Sequence, residues 1–159
     1  MKKKLLLLFG LFISPFLFSQ ILTVNSGTSV SIASGSSVTL GGLEIAPSDT
    51  YVISGVNDFS RSATAVTSSS NTSVSRVYST TALLSGFTGM LTFSYLEGEL
   101  NGIAERNLVL ELQASDDSWT SYLGTVDEAN NTVSYTFTDP ISFKAVTASA
   151  AGATLTIED

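Results

Sequence analysis

Four oxygen-bearing side chains crowd into one short stretch of this chain: Glu97, Glu99, Asn101 and Glu105. Calcium takes about six to eight oxygen ligands from carboxylates, amides and backbone carbonyls, so closely spaced oxygens of this kind suit it. The spacing does not follow the EF-hand loop. The same residues also read as a solvated turn in which Asn101-Gly102 supplies a positive-φ bend. Asp116 and Asp117 form a second acidic pair, read first as a hairpin turn and second as a cation site. Arg76 lies upstream in a strand-like segment, residues 72–80. An ion pair from Arg76 to Glu97 or Glu99 would pin the acidic turn onto a sheet, whereas an exposed charge there would contribute little.

Other chemistry is narrowly bounded. The chain has no His and no Cys, which rules out a Ser-His-Asp set, a Cys nucleophile and disulfides. Zinc would have to use carboxylates alone, which is uncommon. Glu97 with Glu99, or Asp116 with Asp117, are the pairs that glycoside cleavage would need. Nothing in the sequence marks either pair as buried. Lys144, the one partner for a Ser–Lys dyad after the N-terminal lysines, sits in an ordinary alternating strand. The chain therefore reads as non-catalytic, with calcium as the only cofactor the side chains suggest. Trp119 and Tyr122 are the candidate platform for a glycan, with Tyr51 and Tyr78 as further aromatics. Alternation along a regular strand puts Trp119 and Tyr122 on opposite faces. The competing expectation is that they fill the core or its lip, as a lone Trp in a small β domain usually does.

The N-terminus supplies an address. Lys2, Lys3 and Lys4 precede an almost unbroken apolar run from Leu5 to Phe18, then Ser19 and Gln20. A positive segment, a short apolar segment and a small residue at a cleavage point make a secretory signal. The run is shorter than the about 20 apolar residues a membrane span requires. Cleavage is expected between Ser19 and Gln20, giving a signal over residues 1–19 and an extracellular or cell-envelope product with no membrane span. Of the seven basic residues, Arg61, Arg76, Arg106 and Lys144 remain against fourteen acidic ones, a balance of −10. Such a surface repels nucleic-acid phosphates and anionic lipid. The expected partners are a cell-surface protein or a glycan.

The elements that must position these residues are strands. The remaining chain is rich in Ser, Thr, Val and Gly and has almost no helical periodicity. Residues 24–32 and 32–40 form a small internal repeat, each copy a short alternating strand with a Ser-Gly turn, at Gly27 and Gly35. Val30, Ile32, Val38 and Leu40 fall on one face. We read residues 20–46 as a β-stack of leader strands and residues 47–159 as the main domain. Residues 57–70 are polar and Ser-rich, an extended strand or a crossing. Strong period-two alternation marks residues 90–95, 107–113, 132–138, 141–145 and 154–157, which predicts sheets with one buried and one wet face. Ser85-Gly86, Glu97-Gly98, Asp116-Asp117, Asn130-Asn131 and Asp139-Pro140 are the expected turns. Many short strands between polar turns predict an all-β fold, an antiparallel β-sandwich with the short β-stack at its N-terminus.

One stretch carries a family likeness. Tyr95-Leu96-Glu97-Gly98-Glu99-Leu100-Asn101-Gly102-Ile103 is followed by Glu105, Leu108 to Leu112 and Asp116-Asp117-Ser118-Trp119, with Ser75-Arg76-Val77-Tyr78 upstream. This pattern resembles a β-sandwich module of secreted and cell-surface proteins of Bacteroidetes. In that module a Glu-Leu-Asn-Gly turn follows a strand ending in Tyr, and an Asp-Gly-x-x-Trp hairpin comes after it. Asp117 stands here where the module often has Gly. The resemblance implies an extracellular or envelope location and a structural or adhesive role without catalysis. The function expected from the sequence is thus an exported structural or adhesive module. A carbohydrate-binding or calcium-dependent binding module is the alternative.

Overall fold

A computed structural model describes residues 19–69 and 71–152. The expected signal segment lies outside the described residues except for Ser19. The chain is all-β and antiparallel, and its strands run in the order β1 (Ser19–Val24), β2 (Ser29–Ile32), β3 (Val38–Leu40), β4 (Leu43–Pro47), β5 (Tyr51–Ser54) and β6 (Asn57–Ser62). Then come β7 (Thr67–Ser68), β8 (Asn71–Thr72), β9 (Val77–Ser94), β10 (Leu108–Gln113), β11 (Trp119–Tyr122), β12 (Thr125–Asp127) and β13 (Thr132–Ala150). Two short 3-10 turns, Glu97–Glu99 and Glu105–Asn107, separate β9 from β10. Among the described residues no helix is long and apolar enough to cross a membrane.

The two long strands organise everything else. β9 and β13 pair with each other along most of their length. A straight strand rises about 3.3 Å per residue, so Tyr78 and Phe93 would stand about 50 Å apart on an extended β9. Their ring centroids are 5.7 Å apart, edge to face. β9 therefore doubles back, and β13 bends with it. The bend is visible as a run of register shifts between Phe137 and Ala145, opposite Ser79 to Gly89. Ser85-Gly86 and Asp139-Pro140, expected to be turns between separate strands, lie inside this bend. Pro140 has no N–H to give to a ladder, so a bulge accommodates it. Phe87 sits on the inside of the corner, fully buried, with edge contacts to Tyr51, Phe137 and Phe143.

The bend divides one nine-stranded sheet into two parts, here called the first and second layers. The first runs β1-β6, the start of β9, the end of β13, β10 and β11. The second runs β3-β4, the end of β9, the start of β13, and β12. Leu43, Ile45, Leu91, Phe93 and Val133 of the second layer meet Phe59, Tyr78, Leu108, Leu110 and Val146 of the first in one apolar core. Removing this apolar surface from water is the main favourable term of folding.

The N-terminal repeat is real as a repeat of turn and anchor. Asn25 to Thr28 and Ala33 to Ser36 close with matching hydrogen bonds, and Gly27 and Gly35 share a φ of 76°. Val24, Ile32 and Leu40, eight residues apart in sequence, are each buried in the common core. β1, β2 and β3 do not pair with one another; they pair with β6, β5 and β4 respectively. β4 runs across the boundary expected between residues 46 and 47. The leader strands and the rest of the chain thus share strands and a core.

A strip formed by residues 63–69 and 71–73, which holds the small β7–β8 ladder, crosses the outer side of the first layer. It is anchored there by bonds from Val74 N to Ala148 O (2.9 Å) and from Asn71 Nδ2 to Ala150 O (3.0 Å). Beneath it Val109, Glu111, Thr147 and Ser149 are buried on the face opposite the core.

Candidate functional site

The acidic turn is built around Arg76. The guanidinium is 7% exposed and the Glu99 carboxylate 19%. Arg76 Nη2 donates to Glu99 Oε1 at 3.0 Å, and Nε lies 2.9 Å from Oε2 without an aligned N–H. Nη1 donates to Ser94 O at 2.9 Å, which ties the two ends of β9 together. Burial pulls the basicity of the guanidinium down, but bonding and charge from Glu99 and Tyr78 outweigh it and hold Arg76 above its ordinary value. Gly42 makes the close fit possible. Its φ is 108°, and a Cβ there would stand 2.7 Å from Arg76 Nη1 and 2.8 Å from the Tyr78 hydroxyl.

Three of the four expected calcium ligands serve separate partners. Glu99 Oε2 also accepts from Leu96 N at 2.9 Å, and Glu99 N donates to Leu96 O at 2.8 Å, so the two residues close the first 3-10 turn. Asn101, at φ 53°, accepts from Ser75 Oγ at 3.0 Å and donates to Ser73 O at 2.7 Å. Glu105 accepts from the Tyr95 hydroxyl at 2.7 Å. Glu97 is exposed. Among the described residues no group of three or more acidic side chains is placed to hold a metal ion. Asp116 and Asp117 likewise make a turn: Asp116 accepts from the Ser118 backbone and side chain, and Asp117, at φ 68°, pairs with Lys144 at 2.6 Å. Of the two partners expected for Arg76 it takes Glu99, and the bonds of Glu99, Asn101 and Glu105 fasten the loop.

The two expected glycan residues part company. Tyr122 faces inward and packs on Tyr135 and Phe137, with ring centroids 5.1 and 4.9 Å away. Trp119, on the opposite face of β11, is not part of the core cluster. It is half-buried and lines a groove of about 550 Å³. Ser62 of β6, Val77 and Ser79 of β9, Gln113 of β10 and Ala145 of β13 line it on the sheet side with Trp119, and Thr64, Val66 and Thr67 line it from the crossing strip. No lining side chain is charged. Volumes of about 300–1,000 Å³ are typical of small-ligand sites.

Glu111 is the residue that sequence reasoning missed. It shares the outer face with Gln113 and is fully buried. Its Oε1 accepts from Ser149 Oγ at 2.6 Å and Ser121 Oγ at 2.8 Å, and its Oε2 from Ser69 Oγ at 2.8 Å. One carboxylate thereby joins β10, β11, β13 and the crossing strip, next to the groove. Alternation assigns Glu111 to a wet face. The only signal against that is the polar stretch 57–70, of which residues 63–69 pass over this face by a path that is not encoded locally.

Comparison with protein-family models, with curated proteins and with solved structures finds no match for this chain.

Proposed function

We propose that this chain is an exported, non-catalytic adhesive module of the cell surface or extracellular space, and that the Trp119 groove is its contact surface. The groove is the observation that carries the reading. It pairs a large indole with hydroxyl and amide groups and contains no general acid, base or metal-binding side chain. Such a lining recognises without reacting. The secretory pattern of residues 1–19 and the likeness of residues 75–119 to Bacteroidetes surface modules support the location. The bonded carboxylates of the acidic turn favour a structural role for that turn over calcium-dependent binding.

The test is fractionation of cells expressing the full chain, followed by an attachment assay with the same cells. The expected result is a product beginning at Gln20, found in the envelope or medium, that increases attachment to a surface. A cytoplasmic product that keeps residues 1–19 would overturn the reading.

A further inference from the structure

The Trp119 groove has the chemistry of a site for an uncharged sugar. Trp119 is the only Trp in the chain, and a residue of its size ordinarily buries a large apolar area in a core. Here it stands outside the core, and its indole N–H donates to no described residue. Gln113 beside it spends its amide N–H on Asp117, at 3.2 Å to the backbone oxygen and 3.4 Å to Oδ1. Its Oε1 receives no donor among the described residues. The Asp117 carboxylate is held by Lys144 at 2.6 Å, so the charge nearest to Gln113 is already paired. The remaining polar groups of the lining, on Ser62, Thr64, Thr67 and Ser79, are hydroxyls that can both donate and accept.

From this juxtaposition we infer that the groove binds a neutral saccharide, one sugar ring lying on the Trp119 indole and its hydroxyls bonding to Gln113 Oε1 and the Ser/Thr rim. The inference rests on the adhesive reading above and names its ligand class. The absence of lining charge, in a chain with fourteen acidic and seven basic residues, selects against uronic or sulfated sugars and against charged peptides. A sugar presents an apolar C–H face to an aromatic and a ring of hydroxyls to its surroundings, which is the complement of this lining. A proline-rich segment is the weaker fit, because such grooves are lined by several aromatics and this one has a single ring.

Because Trp119 is the only Trp, intrinsic fluorescence of the exported protein reports on the groove alone. The experiment titrates the protein with a panel of neutral oligosaccharides, matched uronic-acid oligosaccharides and a proline-rich peptide. The expected result is a saturable change in Trp emission with at least one neutral sugar, insensitive to added salt. Calorimetry with the same sugar should show at least about tenfold weaker binding for Trp119→Ala, a change worth about 1.4 kcal/mol. Thr64→Arg, which crowds the exposed wall without touching the core, should weaken binding as much and guards against a folding defect in the first variant. Saturation by the peptide or the uronic-acid series alone, or by nothing in the panel, would overturn the sugar assignment. If attachment of expressing cells is then still lost in Thr64→Arg, the adhesive reading stands with another ligand. If attachment never depended on the protein, both readings fall.

Discussion

At the scale of single residues, the molecule spends its few charges on fastening. Arg76 is buried against Glu99, so removing one partner strands the other. Breaking such a pair costs about 3–5 kcal/mol, because an uncompensated charge remains out of water. Glu99→Ala is therefore expected to lower stability by about 3 kcal/mol in urea denaturation, with calcium and excess chelator giving the same midpoint for the parent protein. A ligand of the folded state would shift that midpoint by mass action. A calcium-dependent rise would mean that the oxygens of Glu97, Glu99, Asn101 and Glu105 can regroup around an ion. Proton linkage acts at the alkaline end. Burial pushes the Tyr51 phenol from 10.0 up to about 12. Burial also raises Tyr95, helped by its bond to Glu105, and raises Tyr78 against the opposing pull of Arg76. A raised folded-state value favours the neutral phenol in the folded chain. The stability linked to Tyr51 is thus complete below about pH 10 and is lost as pH rises toward about 12. Denaturation midpoints measured across that range should fall, and Tyr51→Phe should flatten part of the fall.

At the scale of elements, the bend decides the architecture, and it is the feature least legible beforehand. Alternation correctly assigns Leu91 and Phe93 of β9, Leu108, Leu110 and Leu112 of β10, and Val133 and Phe137 of β13 to the core, because period-two burial is a local property of a strand. Ser85-Gly86 and Asp139-Pro140 interrupt that alternation whether the chain reverses or the whole sheet folds. Only the register of the partner strand separates the two outcomes, and register is not local. The same limit hid Glu111, since the strip covering it comes from residues far away in sequence. It also placed Trp119 in the core or at its lip on general grounds, although its opposition to Tyr122 across β11 was readable from spacing. Gly89 gives a direct test of the bend. Its φ is 128°, and a Cβ there would come within 2.6 Å of Pro47 Cα and collide with the Ala46 carbonyl oxygen. Both obstacles are backbone of β4, so relief requires separating β4 from β9. Gly89→Ala is expected to destabilise far more than the about 1 kcal/mol typical of point substitutions. Gly98→Ala, with open space around its Cβ position and no positive φ, should stay near the parent value in the same urea series.

At the scale of the whole molecule, connectivity and packing of the described residues predict one cooperative unit. β1 and β6, β2 and β5, and β4 and β9 each join the N-terminal segment to the rest of the fold, while Val24, Ile32 and Leu40 fill the same core as Phe87 and Leu110. Removing residues 20–46 would expose the edges of β5, β6 and the far half of β9, and would uncover one side of that core. Small single domains usually unfold in an all-or-none transition. The expected behaviour is therefore a single transition in which circular dichroism, reporting all strands, coincides with Trp119 fluorescence, reporting the groove. A chain reduced to residues 47–159 should show neither native circular dichroism nor a cooperative transition. Two resolved transitions, or a folded 47–159 fragment, would mean that the eight-residue repeat is an independent appendage despite the strands it shares. The groove would then belong to the larger part alone, and sugar binding would survive removal of the repeat. In a single cooperative unit, loss of the repeat abolishes binding together with folding, although no residue of the repeat lines the groove.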